Sequence, residues 1–263
     1  MKLLPKPRPY WHVDAKWICG IFLIFTLSAA LLLSSLAKLT DEQRGPTISA
    51  LIIGMLFIRD DAVDDKEVRE ELEEQGGVIY PLPNIPSIKI TEADLRLSPA
   101  EISLKVFKPI TDSIYNDGLE ATAEKFAATP EQREKFVKDA AVFNVFTKES
   151  HQSLAKFSKI FGFISLLLAL GVVYFSARWG RLSNLGLLLL LISLPGTLLG
   201  LMIKNPPKGE GPFSGLRPEL TEQIGQAISS SYNKLTLVGI LLVVVALIGR
   251  IFTAITHKPK PSN

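Results

Sequence analysis

Apolar residues in this chain run together rather than alternate with polar ones. Four stretches, 17–37, 160–177, 182–203 and 235–249, contain no Asp, Glu, Lys, Arg or His. A helix rises about 1.5 Å per residue, so crossing a hydrocarbon core of about 30 Å takes about 20 apolar residues, and an unpaired peptide group in lipid costs several kcal/mol. Residues 17–37 and 182–203 meet this length directly. The stretch 160–177 suffices when Phe157 and Ser158 extend it and Lys159 turns its ammonium to the interface. The last stretch reaches full length as 233–254, with Arg250 snorkelling toward the phosphates. A fifth uncharged run, 45–58, would reach only about 21 Å as a helix, and it reads as a buried or interfacial helix.

Between the first two spans the pattern changes to amphipathic helices with explicit start and stop signals. Residues 60–75 are dense in Glu and Lys and end at Gly76-Gly77. The proline-rich stretch 78–90 reads as an extended connector with one short strand. Ser98-Pro99-Ala100-Glu101 is a capping box with proline in the first helical position, and Ile102, Val106, Ile110 and Ile114 form the apolar face behind it. Pro109 predicts a kink near Lys105, and Asn116-Asp117-Gly118 stops the helix before a short one over 119–128. Thr129-Pro130-Glu131-Gln132 repeats the cap, with Phe136, Val137, Ala140 and Phe143 on one face. No glycine or proline occurs from Glu131 to Phe161, which predicts one unbroken helix running into the second span. Residues 205–218 form a loop by composition, and Pro218 opens a helix presenting Leu220, Ile224 and Ile228.

Charge orients these elements. The net charge is only +3, but 22 of the 26 acidic residues lie between Asp41 and Glu149, so the polar domain is acidic. The short segments carry the cations Lys2, Lys6, Arg8, Lys16, Arg178, Arg181, Arg250, Lys258 and Lys260. Such residues resist translocation, and all nine fall on one side when the spans number four. That side is expected to be the cytoplasm, and Trp11, Trp17 and Trp179 fall at its interface. The expected fold is therefore all-α: a polytopic membrane protein with four transmembrane helices and a mostly helical extracytoplasmic domain between the first and second spans. The segments are a basic tail 1–16, span 17–39, acidic outer domain 40–155, span 156–177, cytoplasmic turn 178–181, span 182–203, second outer loop 204–232, span 233–254 and cytoplasmic tail 255–263. Ser35-Leu36-Ala37 has the form of a signal cleavage site, but the apolar run exceeds the roughly 7–15 residues of a signal core, so an uncleaved anchor is expected.

Candidate chemistry is sparse. Asp60-Asp61-Ala62-Val63-Asp64 has the DDxxD spacing with which isoprenoid synthases hold magnesium and diphosphate, over five residues and without a second acidic motif. The stretch reads first as a solvated acidic face, with Asp60, Asp61, Asp64 and Asp65 as candidate ligands of a weakly held metal ion such as calcium. His151, the only histidine in the outer segments, lies near Lys148, Glu149 and Ser150 and is the one candidate catalytic base. Pro195, Gly196 and Gly200 place small residues four apart behind a proline in the third span, a pattern suited to close helix packing. The single cysteine, Cys19, excludes an intramolecular disulfide and reads as neither redox-active nor lipidated.

No phosphate-binding loop, cysteine-histidine cluster, GxSxG or HExxH occurs, and no Asp, Glu, Lys, Arg or His lies in the interior of a span, where ion relays need such groups. The expectation is a non-enzymatic accessory or sensory subunit of a bacterial inner membrane, both termini cytoplasmic, without cofactor. Its partners are membrane lipid and a membrane or periplasmic protein, and not nucleic acid. Two other readings stand beside it: an enzyme acting on a lipid or lipid-linked substrate at the outer interface, and a small transporter or channel component as an oligomer.

Overall fold

A computed structural model describes residues 11–57, 77–80, 89–206 and 215–256. The elements in chain order are α1 (Trp11–Leu39), α2 (Arg44–Phe57), β1 (Val78–Ile79), β2 (Ile90–Thr91), a 3-10 helix (Glu92–Arg96), α3 (Pro99–Phe126), α4 (Pro130–Asp139), a second 3-10 helix (Ala141–Phe146), α5 (Lys148–Phe175), α6 (Gly180–Lys204) and α7 (Pro218–Thr256). Among the described residues the regular structure is helical apart from the two-residue antiparallel pairing of β1 with β2, Val78 opposite Thr91. Among them four helices, α1, α5, α6 and α7, are long and apolar enough to cross a membrane, and the short apolar helix α2 is not. The predicted helix over 60–75 lies outside the described residues.

The chain divides into two compact units, residues 1–35, 156–201 and 228–263 in one, and 36–155 with 202–227 in the other. The first unit is the bundle. Its α1 and α5 run antiparallel: Ser165 Oγ donates to Thr26 Oγ1 at 3.0 Å, and Ser158 Oγ to the Ala30 carbonyl at 3.0 Å. The α6/α7 pair is also antiparallel and closer. A methyl group at Gly186 would meet the Gly239 carbonyl at 2.9 Å, and one at Gly200 would meet the Ser229 backbone nitrogen at 2.8 Å. Leu23, Leu31, Val172, Ile192 and Tyr232 fill the space between the helices. Where apolar association between helices lacks a water-driven term, close backbone approach and interhelical hydroxyl bonds are what remain to hold a bundle.

The second unit is built on α2 and α3. Asp41 caps α2 through its carboxylate, which accepts the Arg44 amide at 2.7 Å and the Gln43 amide at 3.1 Å. Eight of the first eleven residues of α2, from Gly45 to Gly54, are buried. The 45–58 run is thus a core helix, and Thr111 ties it to α3 by donating to the Pro46 carbonyl at 2.8 Å. Ser98 and Glu101 form the reciprocal cap of α3, and Thr129 with Gln132 that of α4. Ile102, Val106, Ile110 and Ile114 line the face of α3 that meets Ala50 and Ile53 of α2, with the fully buried Phe107 between them.

Two expectations require correction. The unbroken helix from Glu131 into the second span does not form: α4 ends at Asp139, Ala141–Phe146 wind as 3-10 helix, and α5 starts at Lys148. The cause is tertiary. The tighter turn lets Phe143 enter the core, and Thr147 then caps α5 by accepting the Ser150 amide at 3.3 Å. Inside α3 the backbone keeps helical angles around Pro109, which lies on the solvent side, and leaves them at Gly118 (φ 84°), where Asn116-Asp117-Gly118 is expected to stop the helix. Gly118 takes the left-handed conformation that other residues adopt only with strain.

Candidate functional site

His151 stands in the first turn of α5, half-buried, with Nδ1 2.9 Å from the Ala37 carbonyl oxygen. A carbonyl can only accept, so Nδ1 carries the proton and donates, which leaves Nε2 as the basic atom of a neutral ring. The neighbouring Ser150 is committed elsewhere. Its Oγ donates to the Asn144 carbonyl at 3.0 Å and its amide to Thr147 Oγ1. Among the described residues His151 has no hydrogen bond to Glu149 or Ser150, so the three adjacent residues do not assemble as nucleophile, base and orienting acid.

The polar groups the second unit does bring together are Asp94, Thr91 and Lys105, and separately Ser103, Pro99 and Arg217. The Asp94 carboxylate, 3% exposed, accepts from the Thr91 amide at 2.9 Å, from the Thr91 hydroxyl at 2.7 Å and from the Lys105 ammonium. Burial pushes this carboxyl up, but the hydrogen bonds from Lys105 and Thr91, with the charge of Lys105, outweigh it and hold the group below the ordinary aspartate range. Tyr115, also buried, is pushed up by desolvation and then by the nearby carboxylates of Glu42 and Asp41. Arg217, 4% exposed, donates through Nη1 to Ser103 Oγ at 2.7 Å and to the Pro99 carbonyl at 3.1 Å. Leu220, on the first turn of α7, packs with Ile48, Leu51 and Ala100. Residues 202–227 therefore complete the core that 36–155 begins.

This completion is what sequence reasoning missed. In the sequence Arg217 sits near the end of 205–218, a stretch whose prolines and glycines mark it only as a loop. The one local signal was its place directly before Pro218, where the backbone is about to enter a helix and the side chain is fixed against whatever lies beside that helix start.

One groove opens on the surface of the second unit at the Gly118 corner. It holds about 400 Å³ and is lined by the apolar Leu119, Val137 and Ala141 together with Asp117, Glu120 and Asn144. Ser113 donates to Asp117 at 3.0 Å, holding one of these carboxylates in place. Such a groove suits a ligand with an apolar body and a cationic or hydrogen-bond-donating edge.

In the bundle, Pro195 lies within α6 without ending it, Gly196 faces the Tyr232 ring, and Gly200 faces the Ser229 backbone. A hydroxyl chain runs beside them. Thr197 and Thr236 lie 2.9 Å apart, Thr236 Oγ1 donates to Ser193 Oγ at 2.9 Å, and Ser193 donates to the Leu189 carbonyl at 2.7 Å. A cavity of about 170 Å³ lies at the other end, between Lys16, Trp17 and Gly20 of α1 and Asn184 and Leu188 of α6. Near that end Trp11 meets Phe175 edge-on at 5.8 Å, and Arg250 donates to Ser183 at 3.0 Å.

Asp60, Asp61, Asp64 and Asp65 lie outside the described residues. Among the described residues no group of three or more His, Cys, Asp or Glu side chains is arranged to hold a metal ion. Comparison with protein-family models, curated protein sequences and solved structures gave no match to this chain.

Proposed function

We propose that this chain is an integral membrane accessory or sensory subunit. Its four-helix bundle lies in a bacterial inner membrane with both termini cytoplasmic, and its second unit stands outside and binds a ligand or protein partner. The observation that carries this reading is the single core shared by 36–155 and 202–227, closed by Leu220 and the buried Arg217. Loops that merely connected spans would have no reason to combine, whereas a binding domain needs a rigid body behind its recognition surface. The groove at Gly118, lined by two carboxylates and three apolar side chains, is the recognition surface we assign, and a cationic or basic partner is what its charge favours.

The bundle supports an anchoring and packing role. Among the described residues its interior polarity is carried by hydroxyls paired between helices and by the Tyr232 phenol, with no Asp, Glu, Lys, Arg or His buried there, the groups that proton or ion relays use. The enzyme reading keeps one specific foothold, the free Nε2 of His151, but the committed Ser150 hydroxyl weighs against acyl chemistry there.

Crosslinking in membranes followed by extraction in mild detergent tests the proposal. A defined partner is expected to co-purify with the intact chain, and charge reversal at Asp117 and Glu120 is expected to weaken its recovery. Recovery of the chain alone under several growth conditions would refute the accessory role. Orientation is tested separately by labelling Asn116→Cys in a Cys19→Ser background with an impermeant maleimide, which is expected to reach it from outside intact cells.

A further inference from the structure

We propose that the cavity between Lys16 and Leu188 is a binding site for one anionic phospholipid, with the phosphate on Lys16 and part of an acyl chain in the cavity. This requires only that the bundle sit in a bilayer, and it is independent of what the second unit binds.

Size, lining and charge argue together. Pockets that enclose a drug-sized molecule hold roughly 300–1,000 Å³. At about 170 Å³ this cavity is too small for a soluble ligand of that kind, but it fits a segment of chain whose remainder lies along lipid-facing surface. Its walls are apolar, and Leu187 and Leu191 on its rim are more than half exposed, offering that continuation. Gly20 provides the space. The nearest atom to a methyl group there would be Leu188 Cδ1 at 3.5 Å, so the absence of a side chain leaves the cavity open rather than closing a tight contact.

The mouth is polar in a way that suits a headgroup. Lys16 Nζ lies 4.8 Å over the Trp17 ring and makes no ion pair with a carboxylate among the described residues. A cation held beside an indole at a bundle end is placed for a lipid phosphate. Asn184 donates its amide to Ser176 Oγ at 3.2 Å, which leaves its carbonyl oxygen as the acceptor for a headgroup hydroxyl such as that of phosphatidylglycerol. Arg181 stands one helical turn before Asn184 on α6 and adds positive charge on that side.

The test uses the full chain in neutral detergent, given equal amounts of phosphatidylglycerol and phosphatidylcholine with identical acyl chains, with retained lipids counted by native mass spectrometry. One lysine near a bilayer surface favours an anionic headgroup by about fivefold, so wild type is expected to retain phosphatidylglycerol over phosphatidylcholine by about that ratio. Lys16→Gln is expected to bring the ratio to about one and Lys16→Arg to preserve it. Gly20→Leu, which fills the cavity without altering charge, is expected to lower retention of both lipids. Lys159→Gln, on α5 and outside the cavity lining, is expected to leave the ratio at the wild-type value. The proposal is overturned if wild type shows no preference, if Lys16→Gln keeps it, if Lys159→Gln abolishes it equally, or if Gly20→Leu retains lipid as wild type does.

Discussion

Gly54 lies where α2 passes closest to α3, and a methyl group added there would overlap both Oγ and Cβ of Ser103. Neither side yields cheaply. Ser103 is fully buried, donates to the Pro99 carbonyl at 2.6 Å and accepts from Arg217 at 2.7 Å, so moving it disturbs a hydrogen bond to a charged group. Forcing an extra carbon into a packed core costs about 1–3 kcal/mol, and a hydrogen bond to a charged partner is worth about 1.5–3 kcal/mol. With part of each lost, and about 1 kcal/mol regained because alanine replaces glycine inside a helix, Gly54→Ala is expected to destabilise the second unit by about 2–3 kcal/mol. Amide hydrogen exchange on peptides from 99–117 reads that unit directly, and protection there should fall roughly 30- to 140-fold. Ser103→Gly alone should also destabilise, through the lost hydroxyl and about 1 kcal/mol for glycine inside a helix. Combining the two removes the atoms that the new methyl would strike, so the double variant should be at least about 1 kcal/mol more stable than the sum of the singles. Wild-type protection in Gly54→Ala, or strict additivity in the double variant, would refute the assignment of this contact.

Three further outcomes follow from the geometry. The folded Asp94 carboxyl titrates below its ordinary value of 3.8, so its contribution is present above about pH 4 and is lost as pH falls through the depressed value; Asp94→Asn should lower stability at pH 7 and flatten the acid limb of the unfolding midpoint against pH. Ser98→Ala removes the side-chain acceptor for the Glu101 amide and should cost about 1 kcal/mol, read as faster exchange in the first turn of α3. In the bundle, Gly186→Leu and Gly200→Leu would each set a side chain against the α7 backbone and should lower the melting temperature of the detergent-extracted chain, whereas Gly162→Ala, where a methyl group meets nothing within 4 Å, should leave it unchanged.

What the sequence made legible was whatever a short window contains. The four spans are runs without Asp, Glu, Lys, Arg or His, and the caps at Ser98 and Thr129 are four-residue signatures whose hydrogen bonds form within one turn. The length of the 45–58 run showed only that it was too short for a span, leaving a buried or an interfacial helix; that α2 is buried follows from its packing on α3. The break between Asp139 and Lys148 was not, because nothing between Glu131 and Phe161 disfavours helix; the chain turns there because Phe143 has a core to enter. Likewise Asp94 and Lys105 are eleven residues apart, and Arg217 and Ser103 are 114 apart, so neither pairing leaves a local trace. The acidic residues that looked most like a metal site lie in 60–65, outside the described residues. His151 illustrates the opposite limit: its residue type raised a catalytic reading, while its position ties it to a carbonyl 114 residues away.

The two-part core of the second unit has a consequence for how the protein is made. Residue 217 leaves the ribosome 62 residues after residue 155, an interval of roughly 3–12 s at about 5–20 residues per second. Helices form in about a microsecond, so α2 and α3 have ample time to pair during that delay while the place of Leu220 and the Arg217 guanidinium is still vacant. For those seconds the nascent domain shows an apolar notch, and the Ser103 hydroxyl, already donating to the Pro99 carbonyl, lacks the guanidinium it later accepts from. Helix α7 thus acts as the closing piece, and a chain interrupted before Pro218 leaves that notch uncovered.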